Sequence, residues 1–198
     1  MIAQLRGTVA ALSGTWLVVD VNGVGLKVLC TPSTAGAQRL GQPATLHTSL
    51  VVREDSLTLF GFADADERDC FELVQTATGI GPKIALSVVS VLNPADLRAA
   101  VAAENIAVLT RVPGIGVKGA QRLVIELKDK IGKLAGQAGG PATAAASWRE
   151  QVASGLVGLG WSSRDADLAC DRVAGLADED PMPPIATLMR AALRTLAK

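Results

Sequence analysis

The residues best suited to chemistry are two short glycine-containing segments. Gly79-Ile80-Gly81-Pro82-Lys83-Ile84-Ala85 recurs 35 positions later as Gly114-Ile115-Gly116-Val117-Lys118-Gly119-Ala120. Both continue with an apolar residue at the same place, Val88 and Leu123. The first glycine of each copy admits backbone angles closed to other residues. The second opens a helix whose first N–H groups have no partner inside it. Those donors, with the positive end of the helix dipole, accept an anion. Lys83 and Lys118 fall in the first helical turn, where an ammonium reaches the same or an adjacent phosphate. Ile80 and Ile115 point inward and fix the turn, and Ala85 and Ala120 allow close helix packing.

A lone G-x-G before a helix is most often an ordinary tight turn. Two copies matching at Gly, Ile, Gly, Lys and Ala are a helix-hairpin-helix pair, and the chemistry expected is binding to DNA backbone. Paired hairpins grip phosphates on both strands across a minor groove, which positions a duplex without reading its sequence. GPKIAL lacks the Gly-Lys-Ser/Thr of a phosphate-binding loop, so a nucleotide site is the poorer reading. Arg122 follows Lys118 by four residues on one helical face and can add a phosphate contact.

The elements that position these segments follow from the surrounding pattern. Residues 1–63 read as strands, with IAQLRGTVAAL, TWLVVDV, GVGLKVLC, ATLHTSLVV and SLTLFGF separated by Ser13-Gly14, Asn22-Gly23 and Gly41-Gln42-Pro43. Five or six strands in so short a stretch predict a closed OB-fold barrel. From 64 to 134 the spacing turns helical. Asp66 is expected to cap a helix that puts Cys70, Phe71, Val74 and Ala77 on one side. Asn93-Pro94 and Asn105 mark two further starts. Residues 135–147, AGQAGGPATAAAS, carry no charge and no large apolar side chain. They read as a flexible linker spanning roughly 20 Å. Residues 148–198 read as a small three-helix module. Gly160 is expected at a left-handed C′ position with Trp161 folded back. Ser162 or Ser163 caps the second helix, Pro183-Pro184 precede the third, and Leu188, Ala192 and Leu196 share one face. Leu156, Leu159, Trp161 and Leu168 divide between core and partner surface, with Leu159 expected in the core.

Composition narrows the function classes. The chain has 198 residues, 49% hydrophobic, with 19 basic and 19 acidic side chains. Net charge is zero, which excludes binding of nucleic acid by bulk charge and requires a local patch. Segment 67–134 is the most basic, with 9 basic and 7 acidic residues. No apolar run approaches membrane-spanning length. MIAQLRG shows no secretory pattern. Cys30, Cys70 and Cys170 are odd in number and lack a CxxC, so the expectation is small core residues in a reducing cytoplasm. His47 is the only histidine and has no ligand set, so neither a metal nor a cofactor is expected. Trp16, Phe60 and Phe62 are too few to make a stacking platform for single strands.

The opening MIAQLRG, NGVGLKV, VVREDSLTLFGF, TGIGPKIAL, VPGIGVKGAQRLVIELKDK and LVGLGWSSRDA together resemble the RuvA family over nearly the whole length. These are Holliday junction-binding subunits of the bacterial branch migration complex, active in recombination and DNA repair. The resemblance implies an OB-fold barrel, tandem helix-hairpin-helix domain, flexible linker and UBA-like three-helix domain. It implies a homotetramer, or an octamer of two tetramers, holding a four-way junction open and square-planar. It implies that 148–198 binds the hexameric ATP-driven motor RuvB, with the RuvC resolvase a further partner, and that no catalytic residue lies in this chain. Composition reads Glu54 and Asp55 as a solvated turn. The resemblance makes them an acidic pin that repels phosphates at the crossover, at about 1 kcal/mol per like-charge pair in water-like surroundings. The chain departs from the family at Val117 and Gly119, where basic or Thr residues are common. Two other readings compete: a helix-hairpin-helix glycosylase/lyase using Lys118, for which Asp129 is poorly placed, and a non-catalytic protein scaffold.

Overall fold

The computed structural model describes residues 2–134, 148–178 and 183–196. The chain divides into two compact units, 1–138 and 139–198. The linker expected at 135–147 lies outside the described residues.

The first unit opens with five strands: β1 (Gln4–Leu12), β2 (Trp16–Val21), β3 (Val24–Cys30), β4 (Pro43–Val52) and β5 (Leu57–Phe62). They close a barrel in the order β1-β2-β3-β5-β4, with β3 and β5 parallel and the other pairs antiparallel. Closure follows from alternation along the strands: Leu5, Val9, Leu17, Val19, Val28, Leu46 and Leu59 fill the interior. Asn22 and Gly23 both take positive φ, 51° and 89°, which turns β2 tightly into β3. A short helix absent from the sequence reading, α1 (Pro32–Gly36), joins β3 to β4 and is capped by Thr31.

Helices α2 (Ala65–Gln75), α3 (Pro82–Val91), α4 (Pro94–Ala102), α5 (Ile106–Leu109) and α6 (Val117–Leu134) follow. Asp64, not Asp66, caps α2, accepting from the Glu67 N–H at 2.8 Å. Asp66 is the second helical residue, in the first turn, where Arg98 of α4 binds its carboxylate with both terminal guanidinium nitrogens at 2.7 Å. Burial pushes the neighbouring Cys70 thiol up to about 12, with Asp66 adding to the shift. Asn93 and Asn105 cap α4 and α5 as expected. Phe60 and Phe62 of β5 belong to the same core as Phe71, Val88, Leu97, Leu123 and Leu127. The barrel end is therefore welded to the helices through one apolar core.

The second unit has three helices, α7 (Trp148–Gly158), α8 (Ser163–Ala177) and α9 (Ile185–Leu196). Gly160 takes φ +99° after α7. The Gly160 N–H reaches Val157 O at 3.0 Å and the Trp161 N–H reaches Leu156 O at 3.2 Å, the paired bonds of a Schellman end. Ser162 caps α8. Leu156, Leu188 and Ala192 are fully buried. The expectation of Leu159 in the core is corrected: it is 64% exposed, because it follows the last helical residue and Gly160 turns the chain away. Trp161 and Leu168 are also exposed. All three cysteines are free and buried.

Candidate nucleic-acid interface

The first hairpin joins α2 to α3. Gly79, at φ +85°, reverses the chain, and the Ile80 N–H closes the turn on Ala77 O at 3.1 Å. Gly81 is the N-cap of α3 with extended backbone, and its carbonyl accepts from Ala85 N at 2.9 Å. The second hairpin, between α5 and α6, repeats this bond by bond. Gly114 takes φ +89°, Ile115 N bonds Val112 O at 3.1 Å, and Ala120 N bonds Gly116 O at 2.9 Å.

The two glycines of each copy do different jobs. At Gly79 and Gly114 the left-handed backbone itself requires glycine. A Cβ added at Gly116 would meet nothing within 4 Å, and one at Gly81 only Arg53 Nη2 at 3.9 Å. The second glycine thus faces open space beside a helix start. The exposed first turn of α6 carries backbone N–H groups on Val117, Lys118 and Gly119 without i−4 partners. The corresponding turn of α3 has one fewer, because Pro82 has no N–H.

Lys83 and Lys118 are exposed on these first turns. Ile115 is buried and Ile80 half-buried in the shared core, while Ala85 and Ala120 are fully buried. The hairpins abut: Ile84 Cγ1 lies 3.5 Å from where a Cβ on Gly114 would stand. Exposed Arg122 shares the α6 surface with Lys118, yet its Nη1 is 3.8 Å from the Cβ position of Gly79 in the other hairpin. Glu126, one turn on, accepts from Thr78 N at 2.9 Å and Thr78 Oγ1 at 3.3 Å. Sequence reading missed Thr78, Glu126 and Arg53. The first two meet 48 residues apart, and no local pattern signals such a contact.

Glu54 and Asp55 sit at the tip of the β4–β5 hairpin, both exposed. Arg53 N donates to Ser56 O at 2.8 Å to close the tip, and Val52 pairs with Leu57. Ser56 Oγ donates to Asp55 Oδ1 at 3.2 Å. Neither acid forms an ion pair among the described residues. No group of three or more His, Cys, Asp or Glu among the described residues is placed to hold a metal ion.

The fold is that of a barrel followed by a tandem helix-hairpin-helix region and a separate helical module. Family models agree with each part: RuvA N terminal domain over 1–61, SAM-like helix-hairpin-helix tandem over 71–129, and RuvA, C-terminal domain over 147–197. Proteins described as Holliday junction branch migration complex subunit RuvA match over the full length of both chains. Identities are 57% in Cutibacterium acnes, 56% in Nocardioides sp. and 55% in Thermobifida fusca. The chain belongs to the RuvA family.

Proposed function

We propose that this protein binds four-way DNA junctions through their backbone, without sequence preference, and holds them open for branch migration. The observation that carries this reading is the bond-for-bond duplication of the glycine hairpin, each copy ending in an open, lysine-flanked helix start. Gly79, Ile80, Gly81, Lys83, Gly114, Ile115, Gly116, Lys118 and Arg122 make up the phosphate-binding hairpins: the helix starts after the glycines, the two lysines and Arg122 face the phosphates, and Ile80 and Ile115 anchor the turns. Glu54 and Asp55 form the pin at the crossover, where symmetry copies in a homotetramer, or in an octamer of two tetramers, gather negative charge. The four parts are 1–63 for assembly and the pin, 64–134 for DNA, 135–147 as tether and 148–198 for the motor. ATP hydrolysis belongs to RuvB, bound through 148–198, and RuvC acts on the same junction. The setting is the cytoplasm.

A gel-shift comparison of a synthetic four-way junction with linear duplex of equal length tests the binding. Preference for the junction is expected, and equal affinity would overturn the reading. The mass of the junction complex gives the subunit number. Removing 148–198 is expected to leave junction binding intact and to stop motor-driven branch migration.

A further inference from the structure

The two hairpins share a bond pattern and differ in what supports them. Thr78, just before Gly79, donates its N–H and its hydroxyl to the Glu126 carboxylate of α6 at 2.9 Å and 3.3 Å. Two residues earlier, Thr76 Oγ1 accepts from Lys130 Nζ at 3.3 Å. Glu126 and Lys130 are four residues apart and share one face of α6. That face therefore holds two points of the loop that enters the first hairpin. The bonds to Glu126 are charge-assisted, the stronger kind.

The second hairpin has no matching support. At the position equivalent to Thr78 stands Pro113, with neither an N–H nor a hydroxyl to donate. The equivalent of Glu126 is Val91, the last residue of α3. Its anchor is deeper instead: Ile115 is 5% exposed, whereas Ile80 is half-buried.

We propose that Glu126 and Lys130 are positioning residues, through which α6 sets the place of the first hairpin while the second hairpin sets its own. The 18-residue α6 begins at the second hairpin, so it refers one grip to the other through a single helix. Phosphates on both strands of an arm are met together only if the two hairpins keep a fixed separation. Removing the Glu126 and Lys130 side chains leaves the start of α6, and with it the second grip, intact. The inference rests on the junction-binding reading above and adds a direction to it: the first grip depends on α6 and the second does not.

The test uses the full chain with Glu126→Ala and Lys130→Ala combined. Amide hydrogen exchange without DNA is read at Ile80 and Ala85 of the first hairpin and at Ile115 and Ala120 of the second, whose N–H groups make equivalent bonds. Exchange is expected to rise about tenfold at the first pair and to stay unchanged at the second. On a four-way junction, Lys83→Glu is expected to cost less affinity in this background than in wild type, and Lys118→Glu the same in both. Glu126→Gln with Lys130 kept is expected to restore wild-type exchange. A rise at both hairpins alike, no rise at either, or equal shrinkage of both lysine losses would overturn the proposal. If neither lysine change weakens junction binding in the wild-type background, the junction-binding reading fails instead, and the exchange result stands apart from it.

Discussion

The carboxylate of Glu126, in the middle of α6, accepts both the backbone N–H and the hydroxyl of Thr78, the residue before the first hairpin's positive-φ glycine. The helix launched by the second hairpin therefore braces the first. Arg122, one turn earlier on α6, reaches toward Gly79 in the same direction. The hairpins are two copies in sequence but one device in space, and a disturbance of α6 reaches both.

Glu126→Ala should release Thr78 and cost about 1 kcal/mol of stability, the worth of an ordinary hydrogen bond. Junction affinity should fall because the first hairpin loosens. Glu126→Gln keeps one oxygen able to accept from Thr78 and should restore most of the affinity. Denaturant melts with junction titrations on both variants check this, and failure of Gln to rescue would remove the bracing role.

Gly79 and Gly81 should separate folding from binding. Gly79 has φ +85°, so Gly79→Ala is strained and should cost about 1–2 kcal/mol. Gly81 has φ −88°, which alanine adopts freely, and an added methyl meets only the mobile end of Arg53. Gly81→Ala should therefore melt like wild type while its methyl stands where a phosphate approaches. Thermal melts beside salt-dependent junction titrations distinguish the two outcomes.

Lys83→Glu with Lys118→Glu should lower the slope of log affinity against log salt by about two contacts. Each single change should lower it by about one. An unchanged slope in the double variant would place the lysines away from DNA. Both side chains are exposed, so the melts should match wild type.

The hairpins were legible in the sequence because their determinants are local: two glycines, one lysine and one alanine at fixed spacing set each turn. The barrel was legible from strand alternation and turn residues. The cap of α2 was misassigned because Asp64 and Asp66 are chemically alike, and only the position of Arg98 in space decides which one caps. Leu159 was misplaced because apolarity alone does not show which way a chain leaves a helix end. The joint core of barrel and helices was invisible, since Phe62 and Phe71 belong to segments with different periodicities.

That joint core makes a thermodynamic prediction. Phe71 of α2 lies with its ring centroid 4.9 Å from those of both Phe60 and Phe62 on β5. Phe71→Ala should cost about 3–5 kcal/mol. Barrel and hairpin region should still unfold in one transition, since the helical core is completed by Phe60 and Phe62 of β5, although the barrel interior has an apolar cluster of its own. Following the lone barrel tryptophan, Trp16, beside far-ultraviolet dichroism on residues 1–134 would show this. Two separated transitions would mean that the cores are independent.

Glu67 supplies the pH dependence. It is 7% exposed and accepts from Thr31 Oγ1 at 2.9 Å and Thr34 Oγ1 at 3.1 Å, tying α2 to the barrel. Burial pushes its carboxyl above the ordinary carboxylate range, outweighing the hydrogen bonds from Thr31 and Thr34 that favour the charged form. The folded protein thus holds the Glu67 proton to higher pH than the unfolded chain, whose glutamate titrates near 4.5. Between that value and the raised one, the folded state binds more protons, so this group's contribution to stability falls as pH rises and levels off above the window. Glu67→Gln cannot titrate, and its stability should be flatter across the same interval. Denaturant melts of both proteins at stepped pH provide the measurement. A wild-type curve with no steeper decline than the variant's would show that Glu67 stays charged in the fold.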